Sequence, residues 1–231
     1  MTIRSALFIA VMLALPCAAV AQTDTDLGTR IPHPKRAAIP GNPHSPEDSG
    51  RISLSQFARC TFASKPAAVV AALQLPVDSG DNALKAVVDD NCLEEGEMGF
   101  SNLLFRGALF GEMYRQHEHK SRTWTYAIQP LDFSAVPDAT SSPNTLTNYF
   151  MLAMADCLLA KDADSVRGIV LNEPASGAQN AAFAKIIPQL GSCVPAGATV
   201  KFSRTSIENA FGEYLYRSLV PPIPVSSGKA S

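Results

Sequence analysis

The chain has 231 residues, 19 Lys and Arg against 21 Asp and Glu, and a formal net charge of −2. Without a long basic run it lacks the footprint of a nucleic-acid binder or of a polybasic membrane surface. Past the amino-terminal apolar run, no stretch approaches the roughly 20 residues that cross a bilayer.

Residues 1–21 read as a signal peptide. Arg4 supplies a positive start, residues 6–15 are apolar, and Ala19-Val20-Ala21 has the small-x-small pattern of a cleavage site. Cys17 raises the alternative of a lipid anchor, but Ala14-Leu15-Pro16 before it is not the usual lipidation pattern, so a cut at Ala21/Gln22 is preferred. The cut would remove Arg4 and no acid, giving a net charge of −3 (18 − 21). A periplasmic or secreted product is the expectation.

Residues 22–50 hold Pro32, Pro34, Pro40, Pro43 and Pro46 among Asp, Ser and Gly, a composition that predicts a disordered leader. His33 and His44 sit inside it and read as linker residues, not ligands. A first helical repeat is expected over 51–116. Its first helix opens on the capping-box pattern Ser53-Leu54-Ser55-Gln56 and runs to Ala63. Pro66 suits the start of a second, over 67–75, which Pro76 and an Asp78-Ser79-Gly80 turn end. A third is expected over 81–92 and a fourth over 101–116.

A connector covers 117–143, with Trp124-Thr125-Tyr126-Ala127-Ile128 as a short extended piece or an aromatic cover for the helices. Connectors this long are uncommon unless they pack or function. The second repeat, 144–220, predicts helices over 145–160, 164–171 after a possible Asp162 cap, 178–190, and 205–219. The last opens on the pattern Thr205-Ser206-Ile207-Glu208. Residues 221–231 form a disordered tail. Strand signals are nearly absent, so the fold class expected is all-α, as two tandem four-helix repeats.

The repeat reading rests on an offset of 102 (202 − 100). Phe100-Ser101 meets Phe202-Ser203, Ala108 meets Ala210, and Tyr114-Arg115 meets Tyr216-Arg217. Cys60 and Cys92 in the first copy correspond to Cys157 and Cys193 in the second. Four cysteines beyond the signal, in an oxidising compartment, suggest two disulfides, and their spacing does not suit paired zinc knuckles. If each copy was once an independent unit, the bridges are Cys60–Cys92 and Cys157–Cys193, closing loops of 32 (92 − 60) and 36 (193 − 157) residues. Each would contribute about 3–4 kcal/mol on the chain-entropy model.

Both fourth helices keep one apolar stripe: Phe105/Ile207, Ala108/Ala210, Leu109/Phe211 and Met113/Leu215. The opposite face is apolar or small in the first copy (Leu103, Gly107, Phe110, Tyr114) and more polar in the second (Thr205, Asn209, Gly212, Tyr216). The first helix is therefore expected in the middle of the molecule and the second nearer an edge, with its Tyr216 face open to a partner. Gly107 and Gly111 would allow another helix close approach.

Tyr114, Arg115, Tyr216 and Arg217 are the candidate ligand-binding residues, because two guanidiniums and two phenols can converge on an anion. Structural work as a helix-end charge and a buried ring explains the same residues. His117-Glu118-His119 offers a weak metal candidate in His117 and His119, but a site needs three or four ligands, so a solvated helix end is the preferred reading. Nucleophile-elbow, P-loop, HExxH and CxxC patterns are missing from the sequence. No cofactor is expected.

The cysteine spacing, with the F-S…A-x5-Y-R run that follows it, resembles a group of uncharacterised exported proteins of Gram-negative bacteria, over residues 57–115 and 154–217. That resemblance implies an all-α exported domain and no activity. The expectation is a non-enzymatic module binding an envelope protein or small ligand. The alternative is an envelope enzyme of hydrolase or metal-dependent type, using Tyr114, Arg115, His117 and Glu118.

Overall fold

A computed structural model describes residues 44–93, 99–120, 126, 128, 130–133, 136–138, 140–194 and 202–219. The expected signal peptide, most of the leader, Trp124 and the tail lie outside them. The described residues form eight α-helices: α1 Pro46–Ser64, α2 Pro66–Leu73, α3 Val77–Val87, α4 Asn102–His119, α5 Pro143–Lys161, α6 Ala163–Leu171, α7 Gly177–Ile186 and α8 Arg204–Leu219. Two 3-10 segments, Asp90–Cys92 and Ile187–Cys193, follow α3 and α7, and there is no strand among the described residues. No helix among them is long and apolar enough to cross a membrane.

Both disulfides are present, Cys60–Cys92 and Cys157–Cys193, with Cα separations of 5.6 and 5.8 Å. Each ties the first helix of its set to a 3-10 segment. Cys92 thus lies beyond the third helix of its set, not on it as the expected span 81–92 had it, while Cys193 lies past α7, beyond the expected span 178–190.

Three helix starts differ from their expected places, each for a local reason. The cap of helix α1, Ser45, lies eight residues (53 − 45) before the expected one. Ser45 accepts a hydrogen bond from the Asp48 amide, Pro46 takes the first turn, and Glu47 and Asp48 meet the positive end of the helix dipole. Residues 46–50, expected in the leader, are therefore helical. Asp78-Ser79-Gly80 was expected as a turn but lies in the first turns of α3, where Asp78 suits the dipole and Gly80 packs near the Ala72 carbonyl. For α8 the start is Ser203, whose Oγ accepts from the Ser206 amide. Glu208 does not fold back as a capping-box acid; it turns inward to two arginines.

Helices α4 and α8 cross at the centre. Phe105, Ala108, Leu109 and Met113 on α4 are buried, as are Ile207, Ala210, Phe211 and Leu215 on α8. The close approach expected at Gly107 and Gly111 is made by α8. A Cβ on Gly107 would stand 2.5 Å from the Cβ of Asn209. The expected asymmetry between the two helices is not found: α8 is buried on all sides from Thr205 to Tyr216. Its polar face covers α4 and meets charged groups there, which polarity alone could not distinguish from solvent exposure.

The connector does pack where it is described. Ile128 is buried, Tyr126 sits edge-on to Phe62, and Phe133 lies against Tyr149 and Tyr214.

Candidate functional site

Two buried ion networks flank the α4–α8 crossing. In the first, Arg106 donates from Nε and Nη2 to Glu213, each at 3.2 Å, and to the Leu73 and Leu75 carbonyls at 3.1 Å, which caps the end of α2. Arg217 donates to the same carboxylate at 2.9 Å. In the second, Arg51 and Arg115 both reach Glu208, at 3.0 and 3.2 Å, while Arg115 Nε donates to the Val170 carbonyl near the end of α6. Gln179 completes it, accepting from Arg51 and donating to the Ile169 carbonyl. Burial pushes the Glu208 carboxyl up, and Arg115 and Arg51 oppose that shift.

These networks account for most of the residues singled out from sequence. Arg115 is 6% exposed and spans Glu208, Glu112 and Val170. Arg217 joins Glu213 to the Pro130 carbonyl of the connector. The Tyr216 hydroxyl donates to the Tyr126 carbonyl and accepts from its amide, both at 3.1 Å, and Tyr114 is 1% exposed. Arg115 and Arg217 thus serve different carboxylates and do not share a pocket. The solvated helix end expected at His117-Glu118-His119 is only partly so: α4 continues to His119, which is exposed, while His117 is buried. Two positions on a helix point about 200° apart, so the pair does not face one ion. No group of three metal-ligating side chains gathers among the described residues.

A different site lies where α4, α5 and α8 diverge from the crossing. A cleft there gives about 100 Å³ of room to the centre of a water-sized sphere. Ser101, Leu103, Leu104 and Gly107 line it from α4 and its cap. From α5 come Asn144, Thr147, Asn148 and Met151, and from α8 Ser206, Asn209, Ala210 and Glu213. The α5 residues recur at i, i+3, i+4 and i+7, one helical face. Asn144, Thr147 and Asn148 make no side-chain hydrogen bond among the described residues. Asn209 is 8% exposed, and its Nδ2 is buried without a partner.

Behind Asn209 lies a second cavity of about 10 Å³ by the same measure, the size of one water, lined by Arg51, Ser55, Arg115 and Glu208 among others. Ser55 Oγ is likewise buried and unpartnered. Asn209 stands between the two spaces and lines both.

Sequence reasoning missed the cleft. Polar Asn144, Thr147 and Asn148 on one face of an otherwise apolar helix were a legible signal, as was Asn209 where the 102-residue offset puts Gly107. The chain matches no family model, and neither a curated protein nor a solved structure is significantly similar to it.

Proposed function

We propose that this is an exported, non-enzymatic binding module that holds a small molecule in the cleft between α4, α5 and α8. The observation that carries the reading is the cleft itself, with apolar Leu104, Met151 and Ala210 beside the unpartnered amide of Asn209 and the unengaged Asn144, Thr147 and Asn148. An apolar concavity with a few convergent polar groups is the usual form of a ligand site. A non-enzymatic role is favoured because Glu213, the ionisable residue lining the cleft, already accepts from Arg106 and Arg217 and is not free for acid–base work. Export is supported by the signal-like residues 1–21 and by two disulfides, which persist in oxidising compartments.

The test is to express the full chain in a Gram-negative host, purify it from the envelope fraction, denature it and identify released small molecules by mass spectrometry. Thr147→Tyr at the half-buried rim should occlude the cleft and deplete the compound. Equal recovery from both proteins, or none from either, would count against the cleft as the binding site.

A further inference from the structure

We infer that the cleft selects an uncharged molecule presenting a hydrogen-bond-accepting oxygen on a short aliphatic frame; this rests on the cleft being a ligand site. Three features converge on that class. The buried Asn209 Nδ2 carries only donors, so the group that completes it must be an acceptor. The Cβ and backbone of Asn209 pack against Gly107, which fixes the point on α8 from which the amide extends. The first turns of α4 and α5 lie at the rim, with Leu103 and Asn144 among the lining residues, and helix N-termini favour a partially negative oxygen.

Charge is disfavoured in both signs. No Lys or Arg lines the cleft to pair with a ligand carboxylate, which would be buried without a counter-charge, because Arg106 and Arg217 are already taken up by Glu213. An ammonium finds both Glu213 oxygens already engaged by Arg106, with Arg217 on one of them as well. Ser101, Asn144, Thr147, Asn148, Ser206 and Asn209 are all neutral hydrogen-bonding groups. Leu104, Met151 and Ala210 offer aliphatic contact, and no aromatic ring lines the cleft to stack on a flat ligand. The available space suits a molecule of few heavy atoms.

Three probes of one frame separate these possibilities: butyramide, butyrate and butylammonium. Each is titrated into isotope-labelled full-length protein at millimolar concentration while the side-chain amide signals of Asn144, Asn148 and Asn209 are followed by NMR. Butyramide should move all three signals, saturably and without change between low and high salt. Asn209→Ala keeps the Cβ that packs on Gly107 and removes the amide; it should weaken butyramide about 10-fold, the loss of one buried hydrogen bond. Asn148→Asp, at a partly exposed position, should shift the preference toward butylammonium. If butyrate or butylammonium binds the unmodified cleft better than butyramide, or if Asn209→Ala binds butyramide as well as the parent, the assigned class is wrong although the cleft stands. If none of the three probes moves these signals, the cleft is not a ligand site and the proposed function falls with it.

Discussion

Gly212 rests on Gly111: a Cβ built on Gly212 would stand 2.7 Å from the Gly111 Cα and 3.0 Å from the Gly107 carbonyl oxygen. The obstacles are backbone atoms of α4, which cannot rotate aside, so the crossing of α4 and α8 depends on the absence of a side chain at Gly212 and, facing Asn209, at Gly107. The approach brings Arg106 to Glu213 and Arg115 to Glu208, and it opens the cleft beyond Asn209.

Gly212→Ala should therefore destabilise the protein by about 3 kcal/mol, the upper range for overpacking a tight core. Gly177, at the start of α7, has nothing within 4 Å of a built Cβ. Gly177→Ala should be neutral or stabilise by about 0.5 kcal/mol by restricting the unfolded chain. Urea denaturation of the two variants beside the parent checks the contrast, and equal midpoints would refute the close-packing account.

Glu208→Gln should lose about 3 kcal/mol, because it removes the carboxylate that buried Arg51 and Arg115 share and leaves them only Asp48 and Glu112. Glu173, which meets Arg59 at 3.0 Å, has a side chain that is 71% exposed. Glu173→Gln should change stability by less than about 1 kcal/mol. Thermal and chemical denaturation of the pair distinguishes a buried network from a solvated one.

Non-reducing peptide mapping should recover Cys60 linked to Cys92 and Cys157 linked to Cys193. Replacing Cys157 and Cys193 together with serine should cost about 2–5 kcal/mol. A fragment joining Cys60 to Cys157 would contradict the fold, since each bridge ties a first helix to the 3-10 segment of its own set.

Burial pushes the Tyr216 phenol up to about 12 from its ordinary 10, and burial with the Asp156 carboxylate does the same for Tyr214. An acid whose folded pKa is raised keeps its proton while the unfolded form has lost it. Stability from these groups is thus full below pH 10 and falls as the pH rises from 10 toward 12. Tyrosinate absorbance should show a class ionising near 12, and Tyr216→Phe should remove part of it. Complete ionisation near pH 10 in the folded protein would show that the two phenols are not buried in solution.

Much of the architecture was legible along the chain. The four cysteines and the 102-residue offset pointed to the two bridges. Apolar spacing identified the buried stripes of α4 and α8, and Asp162 capped α6 as its position suggested. These are effects of neighbouring residues, or of composition over a turn or two, and a sequence displays them directly. What polarity could not reveal was the surroundings of α8. Thr205, Glu208, Asn209 and Glu213 resemble a solvated face, yet they are buried because arginines from α1 and α4 meet the carboxylates and Gly107 receives Asn209. The sequence by itself determined most of the helical segments, which stripes are apolar and how the cysteines pair. Only tertiary packing decided which polar residues became internal ion pairs and which, like Asn209, were left with a buried donor unpartnered, because those outcomes depend on partners 50 to 160 residues away: Arg115 to Val170 spans 55 and Arg51 to Glu208 spans 157.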